Sequence, residues 1–369
     1  MMKPSSLVLL AILAVCAGSP AFGQEDVWET IKAHLTRIDD SGSREDQMAA
    51  KTYLESLTAE QLIEAGRAAG RDVERHTDPQ YWYKAPMALA FFWMYYPRAS
   101  DDLADLGPLL KELAAKDESP VWRKTVFHML TDDRWQTLLT TEQSLHVADA
   151  LQALVVDESE PVFLREPIPV DVARMLRRRY LDVVSADPAA KALAAQGRSD
   201  QEILREAAAG NLALAQPHAE AASRVADHVK GHFDIDVGLF ASTATPTSVR
   251  SAAMHAMVIY WGFGFPVAQR APIIVRDALR DYGQYDQALW PSLAWHALTE
   301  LEVEGAQSVI EEMIATAHDE EVRSRLESTL RYWRQRDDAL PPAQRPAGSE
   351  PPQTAPAEAN EASETAGNE

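Results

Sequence analysis

A single helical stripe, met again and again, constrains this chain more than any other feature. Val249, Ala252, Ala253, Ala256, Met257 and Tyr260 fall at i, i+3, i+4, i+7, i+8 and i+11. That spacing gathers apolar side chains on one face of an α-helix. It returns with Ala271, Ile274, Val275, Ala278, Leu279 and Tyr282, then with Trp290, Leu293, Ala294, Ala297, Leu298 and Leu301, then with Ala306, Val309, Ile310, Met313, Ile314 and Ala317. Val322, Leu326, Leu330 and Trp333 begin a fifth. Successive stripes start 16 to 22 residues apart, which leaves short connections and makes consecutive helices antiparallel neighbours. A lone hairpin cannot cover its own stripe, so several must stack around a shared core. The expected fold is all-α, an α-solenoid of stacked antiparallel helical hairpins. A closed α/α barrel has the same periodicity and is the alternative.

The first half of the chain shows helix boundaries more clearly than stripes. Thr58-Ala59-Glu60-Gln61 and Ser199-Asp200-Gln201-Glu202 have the form of capping boxes, a hydroxyl cap with Gln or Glu three residues on. Asp78-Pro79 and Asp187-Pro188 set an N-cap before a proline suited to the first turn. Gly66, Gly70 and Gly210 read as C-terminal stops. Residues 157–170, with Pro161, Pro167 and Pro169, read as the longest internal loop and as a divide between two halves of one helical-repeat domain, residues 24–339.

Three segments carry a resemblance. They are Pro120-Val121-Trp122-Arg123, Thr245-Pro246-Thr247-Ser248-Val249-Arg250 and Glu320-Glu321-Val322-Arg323. Each resembles the helix opening of HEAT-like repeats, where a proline is soon followed by Val-Arg. Trp122 separates the pair in the first segment, and the last has no proline. The resemblance is carried mainly by residues 245–336. The Trp-x-x-Leu-Gly core of tetratricopeptide repeats is absent. A HEAT-like chain implies a solenoid whose helical face receives partners and supplies no catalytic residues.

The two ends differ from this middle. Lys3, the apolar run Leu7 to Ala17, and small residues Ala21 and Gly23 form the three parts of a secretory signal, with cleavage expected before Gln24. Eleven apolar residues are too few to span a bilayer. Leu13-Ala14-Val15-Cys16 also resembles a lipobox, with Val15 where Gly or Ala belongs, so lipidation at Cys16 is the minor alternative. Cys16 is the only cysteine, and cleavage after Gly23 leaves a mature chain with neither disulfide nor thiolate. From residue 340 onward Pro, Ala, Glu, Ser and Thr dominate. That tail, 340–369, lacks the apolar area to offset its ordering entropy and is expected to be disordered.

The formal net charge is −21, a balance that excludes nucleic acid and anionic membrane as natural partners. The chain is therefore expected to be exported, periplasmic or extracellular, and to bind another protein or a cell-envelope component.

Chemistry-bearing motifs are few. Gly-x-Ser-x-Gly, His-Glu-x-x-His and Ser-x-x-Lys are absent from the sequence, and so are a P-loop and a dinucleotide fingerprint. No catalytic residue and no cofactor is assigned. The nearest set to a metal site is His228, His232 and Asp234. The two histidines stand four apart and would share a helical face, with Asp234 or Asp236 as an oxygen ligand. Gly231 and Phe233 suggest that the helix ends there, where His is favourable without an ion. Asp234-x-Asp236-x-Gly238 lacks the further acids of an EF-hand loop. Tyr81, Trp82 and Tyr83 open an aromatic cluster that runs to Tyr96. Either they stack on a sugar or peptide in a groove, or they pack between helices. Arg177-Arg178-Arg179 reads as a solvated helix face, because adjacent helical positions point apart. A carbohydrate-acting protein of the α/α-barrel kind is the functional alternative to the binding module.

Overall fold

The structure is a computed structural model and describes residues 24–75, 96 and 106–339. The signal segment with Cys16, the trio Tyr81, Trp82 and Tyr83, Asp78-Pro79 and the tail 340–369 lie outside the described residues. Among those described every regular element is helical and none is a strand. The protein is all-α. It divides into two compact units at Gln269/Arg270.

The first unit opens with α1 (Gln24–Ser41), α2 (Arg44–Glu55) and α3 (Ala59–Arg75), of which α1 packs on both others. The capping box at Thr58 forms as expected: Gln61 donates its backbone N–H to the Thr58 hydroxyl, and Thr58 donates its own to the Gln61 side chain. Helix α3 does not stop at Gly66 or Gly70. It runs through both to Arg75, because they are contact points for α5 (Pro120–Thr131). A Cβ at Gly66 would sit inside the Trp122 ring, and one at Gly70 would lie 2.8 Å from the Trp122 Cβ. The glycines are there for close approach rather than for termination. Trp122 is fully buried on them and donates its indole N–H to Glu112 at 3.0 Å. Glu112, on α4 (Gly107–Ala114), also takes the Arg67 guanidinium from α3. Gly210 does follow a helix end, with φ +75°.

The rest of this unit comprises α6 (Asp133–Gln136), α7 (Thr141–Val156), α8 (Val162–Arg165), α9 (Ile168–Ala186), α10 (Pro188–Ala195), α11 (Asp200–Ala208), α12 (Gln216–Ala241) and α13 (Thr247–Gly262). Residues 157–170 are therefore not one long loop. Pro167 and Pro169 fall at the start of α9, where a missing N–H costs nothing. Helix α9 is the centre: it packs on α7, α12 and α13, and α12 packs on α13. Of the arginine triplet, Arg178 pairs with Asp182, Arg177 lies 3.9 Å above the Phe263 ring, and Arg179 turns inward. Arg179 donates to the Gln136 carbonyl and the Ser144 hydroxyl. The triplet is thus split three ways and is not one solvated face.

One device recurs at the turns. Arg123, Arg165 and Arg250 each donate Nε–H at 2.9 Å to a backbone carbonyl ten residues upstream, on Leu113, Val155 and Phe240. Each acceptor is the penultimate residue of α4, α7 or α12, and each arginine stands four residues past the N-cap of the following helix. The last carbonyls of a helix lack intrahelical donors, so each buried guanidinium closes one helix while it opens the next. Arg123 also forms a bidentate pair with Glu160, both side chains almost wholly buried.

The second unit contains α14 (Ala271–Arg280), α15 (Trp290–Trp295), α16 (Ala306–Thr316) and α17 (Glu320–Ala339). The stripe from Trp290 to Leu301 is buried as expected, yet the backbone widens into a π turn at His296–Glu300. Leu301 donates to the His296 carbonyl five residues back, and Val303 to Ala297. Helix α15 packs on α16 and α17, and Trp295 stacks on Tyr332 with ring centroids 5.3 Å apart.

Candidate functional site

Helix α12 carries the site. It continues past Gly231 and Phe233 to Ala241, so His228 and His232 lie in mid-helix and not at a C-terminus. Val225, Val229, Phe233, Leu239 and Phe240 are buried along it, and burial of such a stripe outweighs the roughly 1 kcal/mol that Gly231 costs in propensity. Gly231 itself has open space around it.

His228, His232 and Asp236 follow at i, i+4 and i+8, a single column on this helix. The column passes from half-buried His228 to fully buried Asp236. Asp234 falls off this line and is exposed, so the structure brings together two of the three residues that the sequence groups and leaves out the third. Its place is taken from another helix. Asp149 on α7 sets Oδ2 3.5 Å from the His228 Nε2 and Oδ1 3.9 Å from the His232 Nε2. Deeper in, Tyr260 of α13 joins Asp236 and packs edge-on to Phe233, centroids 6.4 Å apart.

The electrostatics follow from burial. His232 is 5% exposed, and desolvation pushes it down to about 4, against the pull of the Asp149 charge. The Asp236 carboxyl is driven well above the usual carboxylate range by desolvation alone. Tyr260 is raised by burial and by its negative neighbour Asp236. Burial thus disfavours charge at the interior end of the column, and the imidazole of His232 is neutral at neutral pH. Neither the His232 Nε2 nor the Tyr260 hydroxyl has a hydrogen-bond partner. A buried polar atom left unmatched costs free energy on the order of 1–3 kcal/mol, and among the described residues the Arg179 Nε shares this state with these two groups.

The tautomer of His228 is fixed by its surroundings. Its Nδ1 lies 3.0 Å from the Arg224 carbonyl oxygen, which can only accept, so Nδ1 carries the proton. The Nε2 then faces the Asp149 carboxylate. Asp149, Asp236 and Tyr260 were not legible as a group in the sequence. The four-residue step from His232 selects Asp236 over Asp234; nothing local points to Asp149.

Of the aromatic cluster that opens at Tyr81, Tyr96 is described: it is buried and stacks on Trp135 with centroids 5.8 Å apart. No helix among the described residues is long and apolar enough to cross a membrane.

The class these observations define is an all-α protein with a partly buried histidine–carboxylate column between helices. No family model, no characterised protein and no solved structure matches this chain.

Proposed function

We propose that this chain is an exported, non-enzymatic binding module built from HEAT-like helical repeats, which engages another protein or an envelope component along a helical face. The recurrent arginine supports this reading most. Arg123, Arg165 and Arg250 occupy the same register in their turns and are separated by 42 and 85 residues, one and two steps of a period typical of such repeats. Repeats of this kind serve as extended binding surfaces because each contributes a similar face to its neighbours.

A place to look follows from exposure. Val156, Val162 and Phe163 are large apolar residues left open around the turn from α7 to α8, and the Lys124 ammonium lies 5.6 Å over the Phe163 ring. A photo-crosslinking residue at Phe163, compared with one at exposed Glu220, tests the reading in the native cell. Recovery of one partner from position 163 and none from 220 supports it. No adduct at either position, with the protein intact and exported, overturns it and directs attention to polysaccharide fragments as ligands. N-terminal sequencing of the mature protein checks export separately. A start at Gln24 is expected; an intact Met1, or a lipidated Cys16, replaces that part of the reading.

A further inference from the structure

We propose that the turn from α7 to α8 docks a basic amphipathic helix of the partner, its apolar face on Phe163 and its cations on Glu158 and Glu166. This rests on the binding-module reading above and adds the chemistry of the partner at the same face. Eight large apolar or aromatic side chains are exposed among the described residues, and three of them, Val156, Val162 and Phe163, fall in this one turn at 41–47% exposure. Single exposed apolar residues need no explanation, but a cluster marks a contact surface. Helices line this surface and no strand edge is offered to an extended peptide, so an amphipathic helix is the segment that fits it.

The charges around the patch select the partner. Glu166 follows Val162 at i+4 and donates its backbone N–H to the Val162 carbonyl at 2.8 Å, so the carboxylate and the apolar side chain share one exposed face. Glu158 lies within the turn that the Glu160 N–H closes on the Asp157 carbonyl. Both Glu158 and Glu166 are exposed, and among the described residues neither pairs with a cation. Their neighbours differ: Asp157 takes the Lys116 ammonium, and Glu160 is buried on Arg123. Lys124 lies over the Phe163 ring and is joined to neither free carboxylate. The two belong to a chain of net charge −21, whose field draws in cationic partners and repels acidic ones, a second copy included. The surface is also built in advance. Arg165 is tied to the Val155 carbonyl, Arg123 to Glu160, and Ser159 donates to Asp157. A turn fixed in this way loses little freedom when a helix lands on it.

The test is a fluorescence-anisotropy titration of the full chain into a labelled synthetic amphipathic helix of leucine and lysine, beside the same peptide with glutamate in place of lysine. The lysine peptide is expected to bind and the glutamate peptide not to. Phe163→Ser and the double variant Glu158→Gln/Glu166→Gln, surface changes checked for unchanged helicity, should each weaken binding by about fivefold or more. Asp200→Asn/Glu220→Gln removes the same charge from exposed positions elsewhere in the first unit and should leave binding unchanged. No binding of the lysine peptide overturns the proposal, as does equal binding of the glutamate peptide. Equal affinity in the Phe163 and Glu158/Glu166 variants, or an equal loss in the control, also overturns it, because the attraction is then to the acidic chain at large. The broader reading fails separately: an adduct from position 163 in cells with no peptide binding leaves the binding module standing and removes its basic partner.

Discussion

The turns of the first unit and the turn between α16 and α17 in the second solve one problem by different means. In the first unit Arg123, Arg165 and Arg250 are sunk into the core and each reaches a carbonyl ten residues back. In the second, Arg323 sits at the equivalent Val-Arg position, yet its side chain is 37% exposed and reaches the Ala317 carbonyl six residues back. Its carboxylate partner, Glu320, is a neighbour on the same helix and is largely exposed. The partner of Arg123 is Glu160, on the next turn and buried. The same sequence signature thus ends in a core tie in one unit and in a surface clasp in the other. What differs is the surrounding dielectric, and it sets the cost of losing either.

That contrast has measurable edges. The largest effect is expected from Arg123→Ala, which leaves Glu160 buried beside no cation and should lower stability by about 3–5 kcal/mol in urea unfolding. A loss comparable to that of a surface pair would show that water reaches the turn and would erase the distinction.

Alkaline pH should act on the first unit next. Burial raises Tyr180 to about 12, so the fold favours the neutral phenol. That stabilisation is complete below pH 10 and is lost as pH climbs from 10 through 12, to a total of about 2–3 kcal/mol. Hydrogen exchange on α9 should register the loss, and Tyr180→Phe should lessen the slope, with buried Tyr260 left to contribute the remainder. An unchanged slope in that variant rules Tyr180 out as its origin.

Arg165→Met keeps the aliphatic volume and removes the donor to Val155, for an expected loss of about 1–3 kcal/mol. Arg323→Ala should cost less than about 1 kcal/mol, and that small loss should shrink further in high salt. If Arg323 proves as costly as Arg165, burial is not what separates the two units.

Helical character was legible throughout, because a periodic apolar stripe is a local property with one good solution. The capping boxes at Thr58 and Ser199 formed as written, since their partners lie three residues apart. Local rules failed where a distant residue supplied the reason. Gly66 and Gly70 look like stops until Trp122 is placed on them. Gly231 looks like one until α12 is seen with its apolar stripe buried.

By itself, then, the sequence determined the all-α class, the apolar faces and several helix starts, all of which depend on residues within a turn or two of each other. Only the tertiary structure decided that Asp149 and not Asp234 faces the two histidines, that Arg179 leaves its neighbours for the interior, and that Arg123 is a core residue. Those outcomes depend on which helices pack together. Burial and charge pairing across tens of residues have no local periodicity from which they can be read.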